Sequence, residues 1–249
     1  MMIELVTSKL HGFKSQMRRE LAWRLPGNRC RYDCELMKLP VMQVFARPVL
    51  NNRLVDDFQL QSIAMAPSDG ALETWFDEDE QQFGLEVRRS RFIERNQSVR
   101  SFIKRDEEGF FLHYDSVLLA EDAPAGFGAV AFFRAAQAAK AMGLTRVVLD
   151  AVGGAGYKMG IEGGWWREYN GYYSWPRFGF DAEITPSTRE RLKETSFDQT
   201  ATRLLDLIEW SADWWKHHGA GGPMVFDLKP GSRSWHTLST YLRQRKLLR

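Results

Sequence analysis

Cysteine is scarce in this chain, neither sign of charge is in excess, and there is no long apolar run. The only two cysteines in 249 residues are Cys30 and Cys34. They have no second ligand pair at zinc spacing, which excludes a zinc-finger site and a disulfide framework, and they read as reduced thiols. Thirty-four Lys and Arg against 32 Asp and Glu leave a net charge of +2. That balance excludes a domain-wide nucleic-acid footprint and leaves only local basic runs to consider. No apolar stretch approaches the ~18 residues a membrane span needs, and the chain opens on Met1-Met2-Ile3-Glu4, so neither membrane insertion nor secretion is predicted. The setting expected from this is cytoplasmic. No cluster of His, Asp and Glu has metal-ligand spacing, so no metal is predicted.

Aromatic residues are plentiful, at 13% of the chain. Most of the tryptophans come late, at Trp165, Trp166, Trp175, Trp210, Trp214, Trp215 and Trp235, and they read as core or interface. Residues 1–80 read as an N-terminal extension and the first elements of the fold: a helix over Met1–Leu25, an irregular stretch, and a strand within Val41–Leu50. The acidic segment Glu73–Glu80 reads as a solvated loop or short helix. From Phe83 three strand-like runs follow, Phe83–Ile93, Ser98–Lys104 and Phe110–Ala120, separated by turn signals; this pattern predicts an antiparallel meander. Gly126-Phe127-Gly128 then opens an Ala-rich helix that ends at Gly143, and Arg146–Val152 reads as a short buried strand. Residues 153–164 are glycine-rich. Beyond them, residues 186–249 read as a mainly helical C-terminal segment, with helices over Pro186–Lys193 and Phe197–His217, a strand within Pro223–Leu228, and a last helix from Ser232 or Ser234.

The strand, Gly-x-Gly loop, helix and strand over residues 110–152 form the unit that points to chemistry. A helix N-terminus presents unpaired N–H groups and a partial positive charge, and glycines let a phosphate approach the backbone. On this reading Ala125, Gly126, Phe127, Gly128 and Ala129 cradle a pyrophosphate. A dinucleotide-binding Rossmann unit fits less well, because the third glycine of its fingerprint is missing.

The order of meander, Ala-Gly-Phe-Gly-Ala loop, Ala-rich helix, Ala-Met-Gly-Leu-Thr-Arg-Val-Val-Leu-Asp-Ala and the late Trp175-Pro176-Arg177-Phe178-Gly179-Phe180 resembles the GNAT acetyltransferase family. About a hundred residues, roughly 81–185, carry the likeness. Gly126 and Gly128 stand at the two small positions of the family's loop, Ala123 stands where the family has Gln or Arg, and Trp175 stands at its usual tyrosine. The aromatic wording of the last segment is also similar to GNAT-like domains of phage and mobile elements. The resemblance implies an α/β (α+β) fold with a mixed, splayed sheet flanked by helices. It implies acetyl-CoA as co-substrate and transfer of an acetyl group to an amine on a small molecule, a protein or an aminoacyl-tRNA. His113 or Glu86 is then the base and Tyr173 the acid. A GNAT-fold module without turnover is the alternative that Ala123 and Trp175 keep open. For the basic end, Arg243, Arg245, Lys246 and Arg249, a solvated helix terminus is favoured over contact with RNA.

Overall fold

Alternation along the middle of the chain builds the sheet. In Val99–Asp106, Val99, Ser101 and Ile103 are buried while Arg100, Phe102 and Lys104 point the other way. In Gly109–Ser116, Leu112 and Tyr114 are buried and His113 lies on the opposite face. Such period-two burial is what a pleated strand with one covered face requires. The computed structural model describes residues 30–161 and 165–248. The helix predicted over residues 1–25 lies outside the described residues.

Ten strands and seven helices are described. In chain order they are α1 (Asp33–Leu36), β1 (Val41–Val44), β2 (Val49–Leu50), β3 (Arg53–Leu54), α2 (Asp57–Ile63), β4 (Ala71–Asp77), β5 (Gln82–Arg88), β6 (Val99–Asp106), β7 (Gly109–Ser116), α3 (Phe127–Ala141), β8 (Arg146–Ile161), β9 (Trp165–Asn170), α4 (Gly171–Arg177), α5 (Pro186–Leu192), α6 (Leu204–His218), β10 (Ala220–Asp227) and α7 (Arg233–Gln244). One eight-stranded mixed sheet runs β1-β4-β5-β6-β7-β8-β10, with β9 paired to β8. β4 through β7 are an antiparallel meander. β7 and β8 are parallel and joined by the crossover helix α3, and β10 returns antiparallel to β8. The fold is therefore mixed α/β, and the sheet crosses all three divisions drawn on the sequence, since β4 and β10 lie outside residues 81–185.

The helices collect on one face. Tyr114 on β7 donates from its hydroxyl to the Ile63 carbonyl at the end of α2 (2.7 Å). Phe132 of α3 packs edge-on against Phe226 of β10, Trp235 of α7 meets the same ring, and Trp175 of α4 stacks on Tyr114. α3 lies deep in this layer because its small residues, Ala129, Ala131, Ala135, Ala136 and Ala139, let its axis approach the sheet; all are buried. The opposite face carries Trp75, Phe102, Phe111, His113 and Val148 half-buried and Val152 and Val225 exposed.

Three elements differ from the sequence reading. The acidic segment 73–80 forms strand β4 and a turn, because Leu72 and Thr74 alternate inward between its charges and the Thr74 hydroxyl bonds the Ala46 carbonyl. The glycine-rich stretch continues β8 to Ile161, where it hairpins with β9. The helix predicted from Phe197 begins at Leu204 and is broken at Ser211, whose backbone is extended and whose hydroxyl accepts from the Trp214 amide, capping the second part.

Candidate functional site

The parallel pairing of β7 with β8 spans only three residues, Leu112 with Val147, His113 with Val148 and Tyr114 with Leu149. Beyond it the two strands go to different partners. Ser116 pairs with Arg100 of β6 across a register shift, while Asp150 and Ala151 pair with Pro223 and Gly222 of β10. A gap with unpaired backbone edges therefore opens at the C-terminal ends of the two central strands, on the side where α3 begins.

His113 is the last residue before that gap on the face opposite Leu112 and Tyr114. Its Nδ1 is buried and makes no hydrogen bond among the described residues. Burial lowers its pKa, the nearby Lys104 lowers it further, and Asp115 and Asp150 oppose the shift. The ring is thus neutral near pH 7 and able to accept a proton.

Glu86 of β5 lies on the same face, beside the neighbouring strand. Burial alone would raise its pKa, but hydrogen bonds from Ser98 (2.7 Å), Arg100 (3.2 Å) and Arg88 outweigh burial and lower it. Its oxygens are occupied, which makes it an anchor for two guanidiniums and a weak proton acceptor. Arg100 also reaches Asp115 (3.9 Å), so a chain of charges links Glu86 to the end of β7.

Beside this chain is an open cleft of about 1380 Å³, lined by the end of β5, the loop 89–98, the start of β6 and residues 120–122. Its rim carries both signs, with Arg88, Arg89 and Arg95 among the cations and Glu94, Glu121 and Asp122 among the carboxylates. Sequence reading missed this cleft, because its arginines lie in a turn between strands with no motif to mark them.

The loop residues have different surroundings. The Ala125 carbonyl accepts from the Tyr32 hydroxyl (3.0 Å). Gly126, at φ +88°, caps α3, and a Cβ there would lie 2.7 Å from the Leu247 methyls; a Cβ on Gly128 would lie 2.8 Å from Leu119. Packing against two leucines thus accounts for both glycines. The Phe127 ring is buried, stacked on Phe92 at 4.2 Å, and Ala129 is buried.

Tyr173 is on the helical side of the sheet, on α4, which starts beside the carbonyl of Val152 on β8. It is half-buried, and its hydroxyl has no hydrogen bond among the described residues. Trp175 is a packing residue in contact with Tyr114, Phe132, Phe178 and Phe180. His113 and Glu86 thus share one face of the sheet, and Tyr173 belongs to the layer on the other. No group of three or more His, Cys, Asp or Glu able to hold a metal ion was found among the described residues, and no described helix is long and apolar enough to cross a membrane.

The chain matches no known protein family, no curated protein and no solved structure.

Proposed function

We propose that the protein is an acetyl-CoA-dependent N-acetyltransferase of GNAT type. The observation that carries this reading is the three-residue parallel pairing of β7 and β8, which leaves a gap between two central strands at the start of the crossover helix. An extended pantetheine arm can hydrogen-bond to such open strand edges, and that brings a thioester to the gap. The arginine-bearing cleft beside residues 120–122 supports the donor's phosphates through side chains. The carboxylates on the same rim suit a cationic amine. The glycines of the loop are committed to packing, so less of the phosphate contact falls to them than their spacing predicts.

In this reading the amine attacks the thioester carbonyl carbon; the new C–N bond forms and the C–S bond breaks. His113 takes the proton from the amine, directly or through one water, and Tyr173 protonates the departing thiolate from the other side of the gap. Glu86 holds Arg88 and Arg100 in place. The second reading, a module that binds without turnover, draws on Trp175, whose ring is packed in the core where the resemblance implies an acid.

The test is calorimetric titration with acetyl-CoA, followed by thiol release against a panel of amines, peptides and aminoacyl-tRNAs. Micromolar binding and thiol release are expected, with His113→Ala and Tyr173→Phe each slower by ~10²-fold or more. Binding without thiol release with any acceptor supports the module, and no binding overturns the proposal.

A further inference from the structure

We propose that α4, α6 and α7 together form a binding surface for single-stranded nucleic acid, built on a ladder of alternating cations and tyrosines. The ladder runs Lys216, Tyr173, Arg177, Tyr241, Arg245. Lys216 lies 5.9 Å from the centre of the Tyr173 ring and Arg177 lies 4.7 Å from the same ring. Arg177 is also 5.0 Å from the Tyr241 ring, and Arg245 is 5.7 Å from it. Each tyrosine is therefore shared by two cations, which holds three positive charges in a row across three helices. A flexible cation stacked on a ring loses part of its conformational freedom before any ligand arrives, and so binds a phosphate at lower entropic cost.

These cations differ from the arginines that the fold uses in ion pairs. Arg47, Arg134, Arg146, Arg203 and Arg233 each have a carboxylate partner. Lys216, Arg177 and Arg245 have none among the described residues. The sequence around Arg177 and Arg245 reinforces the one-sided charge: residues 171–180 and 229–249 contain no Asp or Glu, while the second stretch holds six Lys and Arg.

Three cations spaced along a row of aromatic rings fit a phosphate backbone whose bases can stack on guanidinium planes and ring edges. An anionic membrane fits less well, since it also requires apolar side chains to insert. Among the described residues the exposed large hydrophobics are Met37, Val41, Phe45, Leu54, Val152, Trp210 and Val225; none is on α4 or α7, and the one on α6, Trp210, packs on Phe197 and Trp214 before the break at Ser211. This surface shares Tyr173 with the acyl-transfer reading but does not rest on it, since its phosphate contacts come from Lys216, Arg177 and Arg245.

The experiment is fluorescence anisotropy of the full chain with labelled mixed-sequence single-stranded RNA and DNA between about 50 and 200 mM salt, with vesicles of anionic phospholipid in a parallel arm. Three neutralised phosphates predict a log–log salt slope of about −2, and the Arg177→Gln/Arg245→Gln double variant should bring it to about −0.7. Comparing RNA with DNA identifies which backbone is preferred. Lys216→Gln, an exposed change that leaves the packing intact, should reduce the slope by about 0.7. Absence of binding near 50 mM salt, variants that keep the parent slope, or binding to vesicles alone would each overturn the proposal.

Discussion

Glu86 is a buried carboxylate whose stability contribution depends on remaining ionised. Its folded pKa is below the ordinary 4.5 because the donors of Ser98, Arg100 and Arg88 outweigh its burial. The stabilisation is therefore complete above the ordinary glutamate range and is lost as pH falls through the lower, folded value. Both arginine side chains are more than one-third exposed, so solvent screening limits the cost of Glu86→Gln to about 1–2 kcal/mol at pH 7. Thermal melts at pH 7 and at pH 3 should show parent and variant converging in acid. His113 has the opposite chemistry and the same direction of pH dependence. Its folded pKa is below the ordinary 6.5, so the unfolded chain binds the proton first and stability declines as pH falls from 6.5 toward the folded value. His113→Phe should flatten that part of the melting profile, below the ordinary histidine value. Both residues were legible in the sequence as inward or outward members of alternating strands. The partners that set their behaviour were not, because Ser98, Arg100 and Lys104 come to them only by cross-strand register.

Among the elements, the meander and the crossover helix were readable because their signals are local: alternation, turn residues between the runs, and an Ala-rich stretch ending at glycine. β4 was hidden under its acidic residues, and the continuation of β8 past Val152 under glycines that suggest a loop. In both cases the deciding contact is long-range, β4 pairing with β5 and β1, and β8 with β9 and β10. The loop glycines give the sharpest contrast between motif and packing. Their spacing predicts a phosphate cradle, whereas Leu247, more than a hundred residues later, fills the place of a Gly126 side chain. Gly126→Ala combines a left-handed backbone with a methyl close to Leu247 and should destabilise by about 1–3 kcal/mol. The double variant Gly126→Ala/Leu247→Ala should cost less than the sum of the two single changes, because the steric part disappears while the backbone part remains. Denaturant melts of the four proteins measure this coupling, and strict additivity would mean that the two residues do not interact.

At the scale of the whole molecule, α2, α3, α4 and α7 approach one face of the sheet, and the other presents His113, Trp75, Phe102 and Val148 half-covered. A single sheet built from residues 41 to 227 unites what composition divides into three parts. The break between β7 and β8 lies inside that sheet, away from its edges, and this has an effect on isotope exchange. In most sheets the middle strands are the slowest to exchange their amide protons and the edges the fastest. Here β7 beyond Tyr114 and β8 between Leu149 and Gly153, where β9 takes over, have no register partner across the gap, although they lie between well-paired strands. Deuterium uptake should therefore be rapid in a narrow band through the middle of the protein, flanked on both sides by protected strands, and a ligand that lays an extended chain in the gap should slow that band before it slows any edge.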